Sequence, residues 1–260
     1  MSWPHRVARV RPLSRVRASA RARLLSERKM ARLGTVWPEL AGFLEWCDAR
    51  KIWRWGGPMN GQAVRRSIVR EIVRAAPPSV AVETGTYRGD TTGFLADVTG
   101  AVVHSCEADP RHFEYARRRY DGRTDVRIVL DDSRSFLERL GRDDDVPASA
   151  ALFYLDAHWG GDLPLADELR LIDRYWTSSV VVVDDFEVPG DPGYGFDDYG
   201  PGRKLSAAGL PADLMANRVA LYPSAASSEE TGARRGCVVL LDESLADRLE
   251  STGVLRRPVT

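Results

Sequence analysis

The chain has 260 residues, 43% of them hydrophobic, and its 37 Lys and Arg side chains balance 37 Asp and Glu. With no basic or acidic excess, nucleic acid and disorder are poor readings and a small-molecule partner is expected. Cys47, Cys106 and Cys237 form no CxxC pair, which argues against a disulfide framework or a cysteine zinc site. No apolar run approaches the ~20 residues of a membrane span and no secretory signal is evident, so a cytoplasmic protein with no membrane partner is expected.

Residues 1–35 read as a basic arm in which Arg6, Arg9, Arg11, Arg15, Arg17, Arg21 and Arg23 precede any acidic residue. The pattern superficially matches an organelle transit peptide, but arginine replaces lysine almost throughout the chain. A solvated tail or a late-docking basic helix is the simpler reading. Residues 36–78 read as a helical extension: WPELAGFLEWCDARKIWRW has helical apolar spacing up to Gly56 and Pro58, and residues 61–75 carry Val64, Ile68, Ile72 and Val73 on one stripe.

From residue 79 to residue 260 one α/β domain is expected, because short apolar runs alternate with amphipathic helices. The runs SVAVET, AVVHSCE, VRIVL, AALFYLD and SVVVVDD are strands of a mostly parallel sheet with helices on both faces. Helices are expected over residues 91–98, 110–120, 133–140 and 164–176, and NRVALYP with CVVLLD reads as a closing antiparallel pair.

VETGTYRGDTT joins the first strand to its helix, where an open α/β sheet builds its ligand crevice. Gly85 and Gly89 let the backbone turn sharply and approach a ligand, and the three residues between them depart from the nicotinamide GxGxxG fingerprint. Glu107 ends the second strand, placed to accept from ribose hydroxyls, and Asp132 with Ser133 ends the third, where a carboxylate can accept from an adenine amino group.

These three motifs resemble those of the class I S-adenosylmethionine-dependent methyltransferases, with VETGTYRG, SCEAD and LDDS as first, second and third motif. The resemblance covers residues 79–242 and implies the Rossmann-like class I methyltransferase fold with S-adenosylmethionine as cofactor. It implies that Glu83 orients the methionine end, that Glu107 holds the ribose, and that Asp132 faces adenine. Gly85, Tyr87, Gly89, Ala108, Ser133 and Asp156 complete the expected cofactor contacts.

YLDAHW and VVVDDF place Asp156, Asp184 and Asp185 at adjacent strand ends. Three converging carboxylates repel one another without a cation, and an oxygen-only set suits Mg2+. The arrangement resembles the divalent-metal-dependent O-methyltransferases of the catechol, macrolide-sugar and cephalosporin-hydroxylase-like types. That resemblance implies Asp156, Asp184 and Asp185 as metal ligands, with the substrate's hydroxyls on the metal; Trp159 stands where the catechol type has a lysine base. In an extended conformation His158 shares a face with Asp156, and an imidazole titrates in the range of a general base.

Residues 189–202, rich in Gly and Pro, leave directly from the fifth strand and carry Tyr194, Phe196 and Tyr199, which reads as either a lid over the acceptor or a mobile surface loop. The expected activity is methyl transfer to a hydroxyl of a small molecule such as a sugar, polyphenol or other natural product, assisted by Mg2+ with His158 as base. A metal-independent methyltransferase or another reaction on the same scaffold, and a non-catalytic binding module, are the alternatives. The acceptor is not legible, and neither is oligomeric state, so a homo-oligomer stays open.

Overall fold

The computed structural model describes residues 27–48, 56–158 and 161–258. The first 26 residues of the basic arm, the KIWRW end of the extension and Trp159 lie outside them. The helical elements are α1 (Glu27–Val36), α2 (Pro38–Trp46), α3 (Ala63–Ala75), α4 (Asp90–Thr99), α5 (Pro110–Arg119), α6 (Ser133–Leu140), α7 (Leu165–Tyr175) and α8 (Glu243–Ser251). The strands are β1 (Val80–Thr84), β2 (Val102–Glu107), β3 (Val126–Leu130), β4 (Ala151–Leu155), β5 (Ser179–Asp184), β6 (Val219–Pro223), β7 (Cys237–Leu241) and β8 (Leu255–Arg256).

The strands form one sheet in the order β3-β2-β1-β4-β5-β7-β6-β8. The first five pair in parallel, and β7 returns antiparallel against β5, with β6 antiparallel to β7. This is the α/β architecture expected, including the closing pair. Strand β1 is where the order reverses, so its carboxyl end opens onto the crevice between β1 and its two neighbours.

Side-chain alternation divides the core into two layers. On one face Val80, Val82, Phe153, Leu155, Val181 and Val183 pack under α6 and α7 through Phe136, Leu137, Leu169 and Ile172. On the other, Ala81, Leu152, Tyr154 and Val182 pack under α3, α4 and α8 through Ile68, Ile72, Leu95 and Leu249. Each fully buried aliphatic side chain contributes ~1.5–3 kcal/mol, so the sheet's strand ends are held on a rigid base.

The helices begin where their sequences offer caps. Asp109 accepts from Arg111 N at 2.8 Å ahead of Pro110, Asp132 accepts from Arg134 N at 3.0 Å, and Asp242 accepts from Leu245 N at 3.0 Å. The last of these starts α8, which periodicity did not single out. At the N-terminal side α1 ends at Val36, one residue past the expected arm boundary, and α2 starts at Pro38. Among the described residues no helix is long and apolar enough to cross a membrane.

Candidate active site

The turn after β1 is built from left-handed backbone. Gly85 has φ +86°, and a Cβ there would lie 2.3 Å from the Asp156 carbonyl oxygen; Gly89 has φ +76°, and a Cβ would lie 2.6 Å from the Tyr120 ring. Both positions therefore need glycine for conformation and for space. Between them Tyr87, at φ +48°, donates its backbone N–H to Glu107 at 2.6 Å, and Glu107 also accepts from Asp109 N at 2.8 Å. The acid at the end of β2 thus fastens two turns, and burial pushes its carboxyl up.

Glu83 is 1% exposed and does not line the cleft. It accepts from Ser105 at 2.6 Å and from the Thr92 hydroxyl. Burial pushes its carboxyl up to about 8, against the pull of those two donors. Beneath the turn, the buried Arg88 donates to Glu45 of α2 at 3.0 Å, so the N-terminal extension is tied to the glycine turn itself.

A cleft opens over this turn, lined by Gly85, Thr86, Tyr87, Arg88 and Asp156, and by Gly57, Asn60, Asp90 and Thr91. Its outer wall is the loop before α3, where Met59 and Asn60 have φ +53° and +54° and Met59 N donates to Thr91 at 3.0 Å. Sequence reasoning missed Gly57, Asn60 and Thr91. Locally the GGPMNG run is a helix stop, and only the fold brings it back over residues 85–88.

At the third strand end Asp132 is half-exposed and caps α6 while pairing with Arg134 at 2.9 Å, which holds its carboxyl below the usual range. Ser133 is buried beside it, and Ala108 is exposed next to Glu107.

The expected triad is not what assembles. Asp184 follows Val182 on the α3 face and is 1% exposed, where it pairs with Arg65 and accepts from Tyr154 at 2.6 Å and Asp185 N at 2.6 Å. Arg65 is also 1% exposed and donates to Gly236 O at 2.7 Å. Asp184 is therefore a buried partner of α3, and the metal-ligand role expected for it is corrected by strand alternation.

Asp156, His158 and Asp185 come together instead, each offering one ligand atom within 4.8 Å of the others. His158 Nε2 lies 3.7 Å from Asp156 Oδ1 and 3.9 Å from Asp185 Oδ2. Asp185 sits at φ +52°, a conformation that turns its side chain out of the strand and away from Asp184. Its other oxygen, Oδ1, accepts from Arg235 Nε at 2.7 Å.

Asp197, which the sequence did not single out, joins from the loop after β5. Its Oδ1 accepts from Arg235 and its Oδ2 from the Tyr199 hydroxyl at 2.6 Å, and Oδ2 lies 4.0 Å from His158 Nε2. The loop that carries it is stitched down. Asp197 N donates to Asp185 O at 2.9 Å, Gly195 N to Arg234 O at 2.9 Å, and Tyr194 is a core residue. Of its aromatics Tyr199 donates its hydroxyl to the His158 backbone oxygen at 3.4 Å. The segment forms one wall of the site through Asp197 and Tyr199.

The electrostatics follow from this crowding. Burial raises the Asp156 carboxyl, and the neighbouring Asp185 and Asp197 add to it while His158 opposes. Burial would also raise Asp185, but His158 and Arg235 outweigh it and hold that carboxyl low. Burial would lower His158, and the carboxylates around it raise it instead.

No protein-family model matches the chain, and no curated protein matches it in sequence. Solved structures match in fold. A candidate O-methyltransferase from Klebsiella pneumoniae is 14% identical, with 88% of this chain and 99% of that chain covered at a TM-score of 0.50. An O-methyltransferase from Bacillus cereus in complex with SAH is 12% identical over 88% of this chain and 100% of that one, at a TM-score of 0.49. The chain has the Rossmann-like methyltransferase fold.

Proposed function

We propose that the protein transfers a methyl group from S-adenosylmethionine to a hydroxyl of a small molecule, with a divalent cation held by the carboxylates of Asp156 and Asp185. One observation carries this reading. Asp156 lines the glycine-turn cleft and also belongs to the acidic cluster, so a cofactor in the cleft and an acceptor at the cluster would meet across a single residue.

When bound, the cofactor supplies an electrophilic methyl carbon and the cation acidifies the acceptor hydroxyl. The rest falls to the chain's own residues. Gly85 and Gly89 bring backbone close to the ligand, Glu107 fixes the turn through Tyr87 N, and Asn60 with Thr91 closes the cleft from the other side. Methyl transfer would release the proton of the acceptor hydroxyl, and Asp156, which offers a second carboxylate oxygen beside the one facing His158, would take it. Positioning and the preset charges supply most of the rate.

The donor set fits a cation on its own chemistry. His158 Nε2 is buried with no hydrogen-bond partner and faces the carboxylates of Asp156, Asp185 and Asp197, all beyond hydrogen-bond reach. The test is a calorimetric titration with S-adenosylhomocysteine, with NAD as control. Micromolar or tighter binding, weakened by roughly 1–3 kcal/mol in Glu107→Ala, is expected. NAD binding without a response to S-adenosylhomocysteine would reverse the reading.

A further inference from the structure

We infer that His158, through Nε2, is the third protein ligand of the cation beside Asp156 Oδ1 and Asp185 Oδ2. The cation is then a borderline transition ion such as Fe2+, Co2+ or Zn2+ in preference to Mg2+. This rests on the cation-assisted reading above and changes the ligand set that the sequence resemblance implied.

Donors sitting about 2.1 Å from one cation stand roughly 3 to 4.2 Å apart, according to whether they are adjacent or opposite. The two separations from His158 Nε2, 3.7 Å and 3.9 Å, fall in that interval. They are too long for hydrogen bonds, so the imidazole nitrogen, on a side chain 4% exposed, has carboxylates around it but no hydrogen-bond partner. A buried polar atom placed this way calls for something between it and the two oxygens.

The surrounding residues single out which oxygens are available. Arg235 takes Asp185 Oδ1 and leaves Oδ2 toward His158. Asp197 has one oxygen on Arg235 and the other on Tyr199, so it orients the site from outside. Asp184 is committed to Arg65 and Tyr154. What remains is two carboxylate oxygens and one imidazole nitrogen. Imidazole nitrogen suits Zn2+, Fe2+ and their neighbours, whereas Mg2+ favours oxygen alone. A ligating Nε2 has no lone pair left for a substrate proton, so the inference also removes His158 from the role of general base.

The full chain loaded with Mn2+ as a spin probe tests ligation directly. Coupling to an imidazole nitrogen is expected in its electron spin echo, and it should vanish in His158→Asp and His158→Asn. Calorimetry should find Co2+ preferred over Mg2+ in the natural protein, with that preference reduced about tenfold or more in His158→Asp, which keeps a ligand but makes it oxygen. Bound Mn2+ without nitrogen coupling, together with a preference unmoved by His158→Asp, would overturn the inference and return His158 to proton transfer. Natural protein that binds no divalent cation would overturn it as well, and S-adenosylhomocysteine binding in the same sample would show whether the methyltransferase reading survives.

Discussion

Arg235 Nε donates to Asp185 Oδ1 at 2.7 Å, and the same carboxylate holds its Oδ2 3.9 Å from His158 Nε2. One arginine thus orients an acidic side chain and sets a positive charge beside the place where a cation would sit. The two effects oppose each other. At about 5 Å from a dication, a guanidinium at an effective dielectric near 20 repels it by several kcal/mol before screening, which exceeds the value of one partly exposed hydrogen bond. Arg235→Gln is therefore expected to tighten divalent-cation binding by roughly tenfold at low salt, with the gain shrinking at high salt. Titrations at two ionic strengths check this, and weaker binding would mean that orientation outweighs charge.

Asp184 and Asp185 are adjacent in sequence but should behave as opposites. Asp184→Asn leaves the buried Arg65 without its carboxylate and is expected to cost about 3–5 kcal/mol of stability. Asp185→Asn should cost clearly less stability, its Arg235 partner being partly exposed, and abolish cation binding. Denaturant unfolding and a cation titration on both variants separate the roles; equal destabilisation of the two would erase the distinction.

Gly85→Ala should be among the most damaging single changes in the chain. The left-handed backbone alone costs about 1–2 kcal/mol in a non-glycine residue. The 2.3 Å approach to Asp156 O also leaves no room for the methyl group, so the turn must move. Gly100→Ala has φ +65° and no atom within 4 Å of its Cβ, so it should cost the strain alone. Loss of S-adenosylhomocysteine binding in the first variant and its retention in the second is the expected outcome.

Glu83 gives the protein a pH dependence of known sign. Burial lifts its carboxyl from an ordinary 4.5 to about 8, so the folded chain keeps a proton that the unfolded chain has lost. The contribution to stability is full below about pH 4.5 and drains away as the pH rises toward 8. In Glu83→Gln that part of the decline should disappear. Unfolding midpoints at pH 5, 6.5 and 8 for both proteins give the comparison, and parallel curves would show that Glu83 is ionised in the fold.

Much of this molecule is written in local sequence. The five parallel strands and the helices between them follow from short continuous apolar runs alternating with stripes of 3.6-residue period, which need only near neighbours along the chain. The glycine turn follows from the positive φ that Gly85 and Gly89 supply. Alternation along β5 also held a clue in the sequence: Asp184, the last strand residue, falls on the same face as Val182, toward α3. What local pattern cannot contain is the partner across the fold. Arg65 claims Asp184 over 119 residues of chain, Arg235 claims Asp185 over 50, and Asn60 reaches the glycine turn from before α3. Those pairings arise when helices dock on a finished sheet, where desolvation makes each buried charge find its counter-charge, and that docking decides which carboxylates stay available for chemistry.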